Sequence, residues 1–361
     1  MLYKQYGRTG EKLSAVSFGG MRFSNPADID ANAEIVLHAY RQGINYFDTA
    51  PEYCKDHSED IIGAAVRHMD RRKVLLSTKC MEEDGGLLRK TLERSLKRLN
   101  TEWIDFFHIW CIVKMDQWKA RKKGGAVAAA VRAKEEGLVR HLAVSSHLSG
   151  ADLAGLLAEG HFEGVTLGYC ALNFPYRQKA VDAAGKMHLG VVTMNPLGGG
   201  IIPKHAKRFD FIRSQGDESV VAAAIRFNVS QPAVTSALVG FTTTRHVDQA
   251  VAAVEDFRPY PPSHIKAMRK KIIAAFESFC TGCGYCLPCP EGIDVPRIMD
   301  SYNLRLLGQD DKKVTNRLKW HWDMSPKAAA ACSLCGTCED RCTQHLPIRD
   351  RMKEIAALAE K

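Results

Sequence analysis

Eight of the twelve cysteines in this chain lie in two short runs, Cys280-Thr-Gly-Cys283-Gly-Tyr-Cys286-Leu-Pro-Cys289-Pro290 and Cys332-Ser-Leu-Cys335-Gly-Thr-Cys338-Glu-Asp-Arg-Cys342. Each run opens with three cysteines spaced three apart, so one tight backbone turn can aim three thiolates at neighbouring metal corners. Four-cysteine zinc sites usually draw their ligands from separated pairs, which these triplets fit poorly. Disulfide frameworks suit small secreted domains, whereas this sequence has 361 residues and no cleavable leader is expected.

The spacing therefore predicts two 4Fe-4S clusters. In two-cluster ferredoxins the fourth cysteine of each run ligates the other cluster. The expected ligand sets are Cys280, Cys283, Cys286 with Cys342, and Cys332, Cys335, Cys338 with Cys289. Pro290 follows Cys289 as in ferredoxins, but Thr343 follows Cys342 where proline is usual, which loosens the turn without removing a ligand. Reduced thiols and oxygen-sensitive clusters point to a cytoplasmic protein, in keeping with an anaerobe.

With 45% hydrophobic and 25% charged residues, the rest of the composition is that of an ordinary globular chain. The formal charge of +9 is spread over short clusters at 121–123, 204–208 and 266–271, and no RNA or DNA module accompanies it. No nucleic-acid partner is expected. Apolar runs are broken by charges before the roughly 20 residues that a membrane helix needs, so no span is expected either.

Short apolar, β-prone runs recur at 14–20, 45–50, 74–79, 104–111, 141–146, 164–170, 191–196 and 236–241, separated by segments of helical period. Leu88, Leu92, Leu96 and Leu99, for example, form one apolar stripe beside Arg89, Lys90, Glu93, Arg94 and Lys97. Eight strand-helix units in about 240 residues match an α/β fold of the (β/α)8 TIM-barrel type. An open doubly wound sheet competes, but no G-x-G-x-x-G follows the first strand. Residues 1–13, with Gly7 and Gly10, read as a hairpin closing the bottom. The expected domains are a barrel over 1–257, a linker over 258–264 where Pro-Tyr-Pro-Pro breaks the pattern, and a small, mainly α-helical dicluster ferredoxin-like domain over 265–361. Within the last, helices are expected at 264–279, 295–307, 314–322 and 348–361.

The strand-end segment Asn45-Tyr-Phe-Asp48-Thr-Ala-Pro-Glu-Tyr53, then Ser58-Glu59, Gly63 and Lys79, resembles the aldo-keto reductase family over residues 1 to about 256. With Phe18-Gly-Gly-Met21-Arg22 and the cysteine tail, the chain resembles the branch that carries a ferredoxin-like C-terminal domain. The resemblance implies an oxidoreductase that interconverts a carbonyl and an alcohol, with Tyr53 as general acid, Lys79 and Asp48 as its supporting ion pair, and NADPH as hydride source. A tyrosine hydroxyl with a pKa near 10 is a weak acid at neutral pH, and a neighbouring ammonium lowers it. Lys79 is expected to do so for Tyr53. Taken singly, these residues also suit a strand-end cap of the next turn, a packed loop aromatic and a snorkelling surface lysine.

The family's fourth catalytic residue is a histidine five positions after an aspartate. Here that aspartate is Asp105 and the fifth position is Trp110, while His108 falls on the same face one layer deeper. Both His108 and Trp110 are carried as catalytic candidates, with His108 also readable as an ordinary core histidine, and Trp110 suggests flat or aromatic substrates. The expected cofactor-binding residues are Arg22, Ser145, Ser146, Asn173, Gly198, Gly199 and Lys204. Gly198 to Gly200 form a glycine-rich loop that could cradle a pyrophosphate through its N–H groups. Two positions depart from the family, with Thr166 where a glutamine holds the nicotinamide and Ala250 where an asparagine contacts adenine. Cys54, Cys80, Cys111 and Cys170 fall at strand ends, where they read either as packing residues or as a thiol ring. The expected partners are a small carbonyl or alcohol and a redox protein such as ferredoxin. The residues leave open a nicotinamide-independent enzyme and an electron-transfer subunit with the barrel as scaffold.

Overall fold

A computed structural model describes residues 1–359 except 113, 149, 276–279, 281–285 and 343–345, and except the side chains of Tyr176 and Ala275. Cys283 and Thr343, named above, lie outside the described residues. The chain falls into two compact units, Met1–Ile265 and Lys266–Lys361.

In the first unit, an antiparallel hairpin of β1 (Tyr3–Gln5) and β2 (Lys12–Ser14) precedes a closed barrel. Its strands are β3 (Val16–Gly19), β4 (Tyr46–Asp48), β5 (Leu75–Cys80), β6 (Ile104–Ile112), β7 (Val139–Ser146), β8 (Gly164–Gly168), β9 (Gly190–Met194) and β10 (Ser236–Gly240). They are parallel and adjacent in chain order, with β10 closing on β3. All eight expected runs form strands, in the expected order, because each is a largely apolar run buried between barrel interior and helices. The leucine stripe lies on the helix Gly85–Arg98, which buries Leu88, Leu92 and Leu96 and is capped by Asp84 accepting from the Leu87 N–H at 2.8 Å.

The hairpin closes the barrel floor. Tyr6, which follows β1, is fully buried and packs edge-on against Phe106, ring centroids 4.6 Å apart. A Cβ at Gly164 or Gly190 would lie 1.8 Å or 2.3 Å from Tyr6 atoms, so two barrel strands must carry glycine where the ring enters. With the floor filled, the chemistry of such a barrel is confined to the carboxyl ends of its strands.

The segment expected as a linker is held on the barrel. The Tyr260 N–H donates to Ser230 Oγ at 2.8 Å, its hydroxyl donates to Asp217, and Asp217 also pairs with Arg226 at 3.2 Å. A helix, Pro262–Ala275, then begins inside that segment, since proline suits the first turn of a helix.

The second unit is helical, with Val295–Leu306, Asp311–Asn316 leading into a π-turn at Arg317–His321, and Ile348–Ala356. Its core gathers Ile298, Met299, Val314, Leu318, Ile348 and Ile355, against which Cys280, Cys289, Cys332 and Cys342 pack. Among the described residues no helix is long and apolar enough to cross a membrane.

Candidate active site and cluster domain

Asp48 ends β4 and Lys79 lies next to the end of β5, and parallel pairing of these strands brings their side chains together inside the barrel mouth. Lys79 Nζ donates to both carboxylate oxygens of Asp48 at 2.6 Å and to the Thr49 carbonyl at 2.7 Å. Both side chains are 2% exposed. Burial pulls the Lys79 pKa down, and the Asp48 charge works against that fall.

Tyr53 stands over this pair, half-buried, with the Lys79 ammonium 5.2 Å from its ring centroid and the Trp110 ring edge-on at 5.4 Å. Its loop is strained: Glu52, Cys54, Lys55 and Asp56 all adopt positive φ without being glycine. The expected acidification is not found. The Tyr53 hydroxyl is raised well above the usual tyrosine range, first by burial and then by the Asp48 charge, with Arg22 lowering it. The Lys79 ammonium faces the Tyr53 ring, and its three donors are taken by the Asp48 carboxylate and the Thr49 carbonyl.

His108 is fully buried below the mouth. Its Nδ1 lies 3.3 Å from Ser77 Oγ, and its Nε2 lies 3.0 Å from Thr166 Oγ1. Ser77 gives its single proton to Asp48 Oδ1 at 2.7 Å, so Nδ1 must carry the proton and Nε2 must accept from Thr166. Burial and the nearby Lys79 charge hold the imidazole well below its ordinary range, hence neutral. His108 thus reaches the Asp48–Lys79 pair only through Ser77, as a positioning group. Ser77 itself was missed, although strand alternation puts it on the face of Lys79, one step below.

At the end of β6 the pairing with β7 shifts register between Ile109 and Ile112, and Cys111 has φ +61. Such a bulge re-aims a side chain at a barrel rim. Trp110 is half-buried there, its carbonyl accepting from Arg121 Nη2 at 3.2 Å. Asp105, by contrast, is a structural node away from the site, accepting from the Leu76 N–H at 2.8 Å and from Arg71 at 2.7 Å.

The expected cofactor residues are dispersed around the barrel's strand ends. Arg22 is exposed beside Gly240, where a Cβ would meet its Cγ at 2.5 Å. Ser145 is buried, while Ser146 donates to the Ile112 carbonyl at 3.1 Å and so serves backbone. Asn173 Oδ1 accepts from the Cys170 N–H at 2.8 Å. Gly198, Gly199 and Gly200 all have positive φ, a conformation that demands glycine, and Lys204 closes the short helix that follows. Thr166 is occupied by His108, and Ala250 is buried in the helix Thr244–Ala252. Ser58, Glu59 and Gly63 have packing roles. Ser58 donates to the Gly20 carbonyl at 2.7 Å, Glu59 accepts from Thr78 at 2.7 Å, and a Cβ on Gly63 would meet the Arg98 carbonyl at 1.9 Å. Burial pushes the Cys54 thiol up and the Cys80 thiol up to about 11, opposite to what a reactive thiol needs.

In the second unit, Cys289, Cys332, Cys335 and Cys338 line one cavity with Pro290, Glu291 and Met352. Among the described residues no three Cys, His, Asp or Glu side chains converge as a single ion would require. Cys335 is exposed and its thiol is lowered by Thr337, whereas the Cys338 thiol is raised by burial and by Cys332. Cys280 is pinned by Asn303, which accepts from its N–H at 2.8 Å and donates to its carbonyl at 3.0 Å. Cys342 Sγ accepts from the Leu346 N–H at 3.5 Å.

A (β/α)8 barrel with a buried lysine-aspartate pair under a mouth tyrosine, followed by a cysteine-lined helical domain, defines an oxidoreductase of reductase type with an iron-sulfur tail. The profile of the Aldo/keto reductase family matches residues 15–273, and that of the 4Fe-4S dicluster domain matches residues 279–347. The chain belongs to the aldo/keto reductase family, and its C-terminal domain carries two 4Fe-4S clusters. It is 27% identical to an L-galactose dehydrogenase of Arabidopsis thaliana over 69% of this chain and 87% of that one. It is 29% identical to an uncharacterized oxidoreductase of Bacillus subtilis, over 71% and 91%. Among solved structures, an aldo-keto reductase from Bacillus halodurans in its holo form superposes with a TM-score of 0.66 at 20% identity, covering 75% of this chain and 96% of that one. One from Klebsiella pneumoniae in complex with NADPH gives 0.63 at 19%, covering 75% and 95%.

Proposed function

We propose that the barrel interconverts a carbonyl and an alcohol with NADPH, and that the two clusters pass single electrons to or from a redox partner such as ferredoxin. The observation that carries this reading is the buried Asp48–Lys79 pair held under Tyr53 at the strand ends. A scaffold would gain nothing from it, since a buried ion pair is weak evidence of stability.

Bound at this mouth, NADPH would supply a hydride to the carbonyl carbon. Tyr53 then gives its proton to the carbonyl oxygen, a transfer favoured because the alkoxide that forms is more basic than a tyrosinate. Lys79 and Asp48 fix the electrostatic field beneath it, with Ser77 and His108 holding Asp48 in place. Gly198, Gly199 and Lys204, with Arg22, suit a pyrophosphate through open backbone and positive charge, and Ser145 and Asn173 offer polar groups at strand ends. Ser146 would act only by shaping the β7 end. The ligand sets we assign are Cys280, Cys283, Cys286 and Cys342 for one cluster, and Cys289, Cys332, Cys335 and Cys338 for the other. Such thiolates belong in a reducing compartment, the cytoplasm.

The test is an anaerobic titration of cluster-loaded protein with NADPH, following nicotinamide oxidation by absorbance and cluster reduction by electron paramagnetic resonance. NADPH is expected to be consumed and the clusters to become reduced. If dithionite reduces the clusters while NADPH neither binds nor reduces them, the reading fails. The engaged Thr166 and buried Ala250 would then mark a barrel fed by another electron donor.

Trp110 gives the pocket a flat wall beside Tyr53, which favours aromatic substrates. Trp110→His removes that wall and adds a small proton-donating ring, so kcat/KM for simple aliphatic aldehydes should rise about tenfold, below the usual range for general acid catalysis. Steady-state assays across aliphatic and aromatic aldehydes would check it, and no gain on the aliphatic set would refute the role of Trp110.

A further inference from the structure

Tyr53 sits in a run where Glu52, Cys54, Lys55 and Asp56 all have positive φ, and such backbone persists only where its surroundings over-determine it. Part of the hold is local. Asp56 Oδ1 accepts from the Glu52 N–H at 3.1 Å, closing a bridge across Tyr53, and the Tyr53 carbonyl accepts from the Ser58 N–H at 3.2 Å. The rest comes from outside the loop. Arg98, the last residue of the helix Gly85–Arg98, has a side chain that is 14% exposed. Its Nη1 donates to Asp56 Oδ1 at 2.6 Å and its Nη2 to the Asp56 carbonyl, so one planar fork grips that residue by side chain and backbone together. The same guanidinium donates to both carboxylate oxygens of Asp60, at 2.9 and 2.8 Å, and lies 3.5 Å from the fully buried Glu59. Its base is fixed too, since the Arg98 carbonyl abuts the helix Ser58–Val66 where Gly63 leaves it room.

We propose that Asp56 and Arg98 form a clamp that positions Tyr53 for proton transfer, which makes both of them positioning residues of the carbonyl reduction described above. Neither touches the reacting atoms. An ion pair whose carboxylate is 49% exposed adds little to stability, so the worth of this one lies in the geometry it imposes. The ring contacts of Tyr53 with Trp110 and Lys79 leave its hydroxyl to be placed by the backbone that carries the ring. A reacting group displaced by about 1 Å loses about 10²-fold in rate.

The inference rests on the reading of Tyr53 as proton donor, so the test pairs a measurement on the loop with one on the reaction. In full-length, cluster-loaded protein, alkylation of Cys54 by iodoacetamide is followed by mass spectrometry of its peptide, with Cys80 as the control. Cys54 is half-buried in the same loop and donates to the Gly20 carbonyl at 3.4 Å. Asp56→Gly suits the positive φ and removes the carboxylate. Cys54 should then react at least about tenfold faster, with Cys80 unmoved. In the same variant kcat should fall about 10–10²-fold with KM little changed. In a Tyr53→Phe background the substitution should change kcat by less than about twofold, because the acid it positions is gone. Arg98→Lys keeps the charge but not the fork, and should move both readouts in the same direction. An unchanged Cys54 rate in Asp56→Gly, or a kcat loss as large without the Tyr53 hydroxyl as with it, would overturn the proposal. A wild-type protein that reduces no carbonyl with NADPH would fail the functional reading instead, and the Cys54 rates would still decide whether the clamp holds the loop.

Discussion

Tyr53→Phe is expected to lower kcat for carbonyl reduction by about 10²–10⁴-fold, the range for removing a positioned general acid, with KM changed little. The substitution removes one oxygen and keeps the ring against Trp110 and over Lys79, so the packing of the mouth survives. A change confined to kcat separates a group that acts in the transition state from one that merely binds. The pH dependence follows from the raised hydroxyl pKa. The active form for reduction is the protonated one, which is lost only as pH climbs through the folded-state pKa, and that pKa lies above the ordinary value of about 10. The kcat/KM profile of the free enzyme should therefore show no alkaline limb from Tyr53 below about pH 10. A limb near neutrality that vanishes in Tyr53→Phe would mean that something acidifies the tyrosine which this arrangement of Lys79, Asp48 and Arg22 does not supply. Turnover unchanged in Tyr53→Phe would remove the tyrosine from the mechanism altogether.

The barrel was legible because its signals are local: each strand is a short apolar run, and each break is a charge, glycine or proline that water must reach. The cysteine spacing is equally local, since one turn of backbone sets where three thiols point. What escaped the sequence depends on distances between elements. Lys79 and Tyr53 are both present as expected, but whether the ammonium meets the hydroxyl or the ring depends on the depth of Asp48. Asp48 takes two of the lysine's hydrogen bonds at 2.6 Å. Ser77 looks like any strand serine until β4 and β5 are put in register, where it pairs directly with Asp48. Thr166 reads as a lost nicotinamide contact, yet in space it is the partner of His108.

Asp48→Asn should both silence the enzyme and unfold the barrel more easily, and a double-variant cycle separates the two effects. In the native site the carboxylate accepts two bonds from Lys79 and one from Ser77, with both charged side chains 2% exposed. An asparagine offers one acceptor and turns an NH₂ toward either the ammonium or the serine hydroxyl. Lys79 is left as an uncompensated buried cation, a loss of about 3–5 kcal/mol for breaking one side of a buried pair. Lys79→Met strands the carboxylate in the same way and should cost a similar amount. Combining the two removes both charges, so the double variant should be more stable than the sum of the single losses predicts, by about 2 kcal/mol or more, within the range for directly contacting groups. Activity should not return with stability, because neither charge is then present to set the field around Tyr53. Urea unfolding of the barrel, followed anaerobically in cluster-loaded protein beside steady-state turnover, measures both. Strict additivity of the two losses would mean that the pair is not coupled as its geometry requires, and recovery of turnover in the double variant would assign Asp48 and Lys79 to the scaffold.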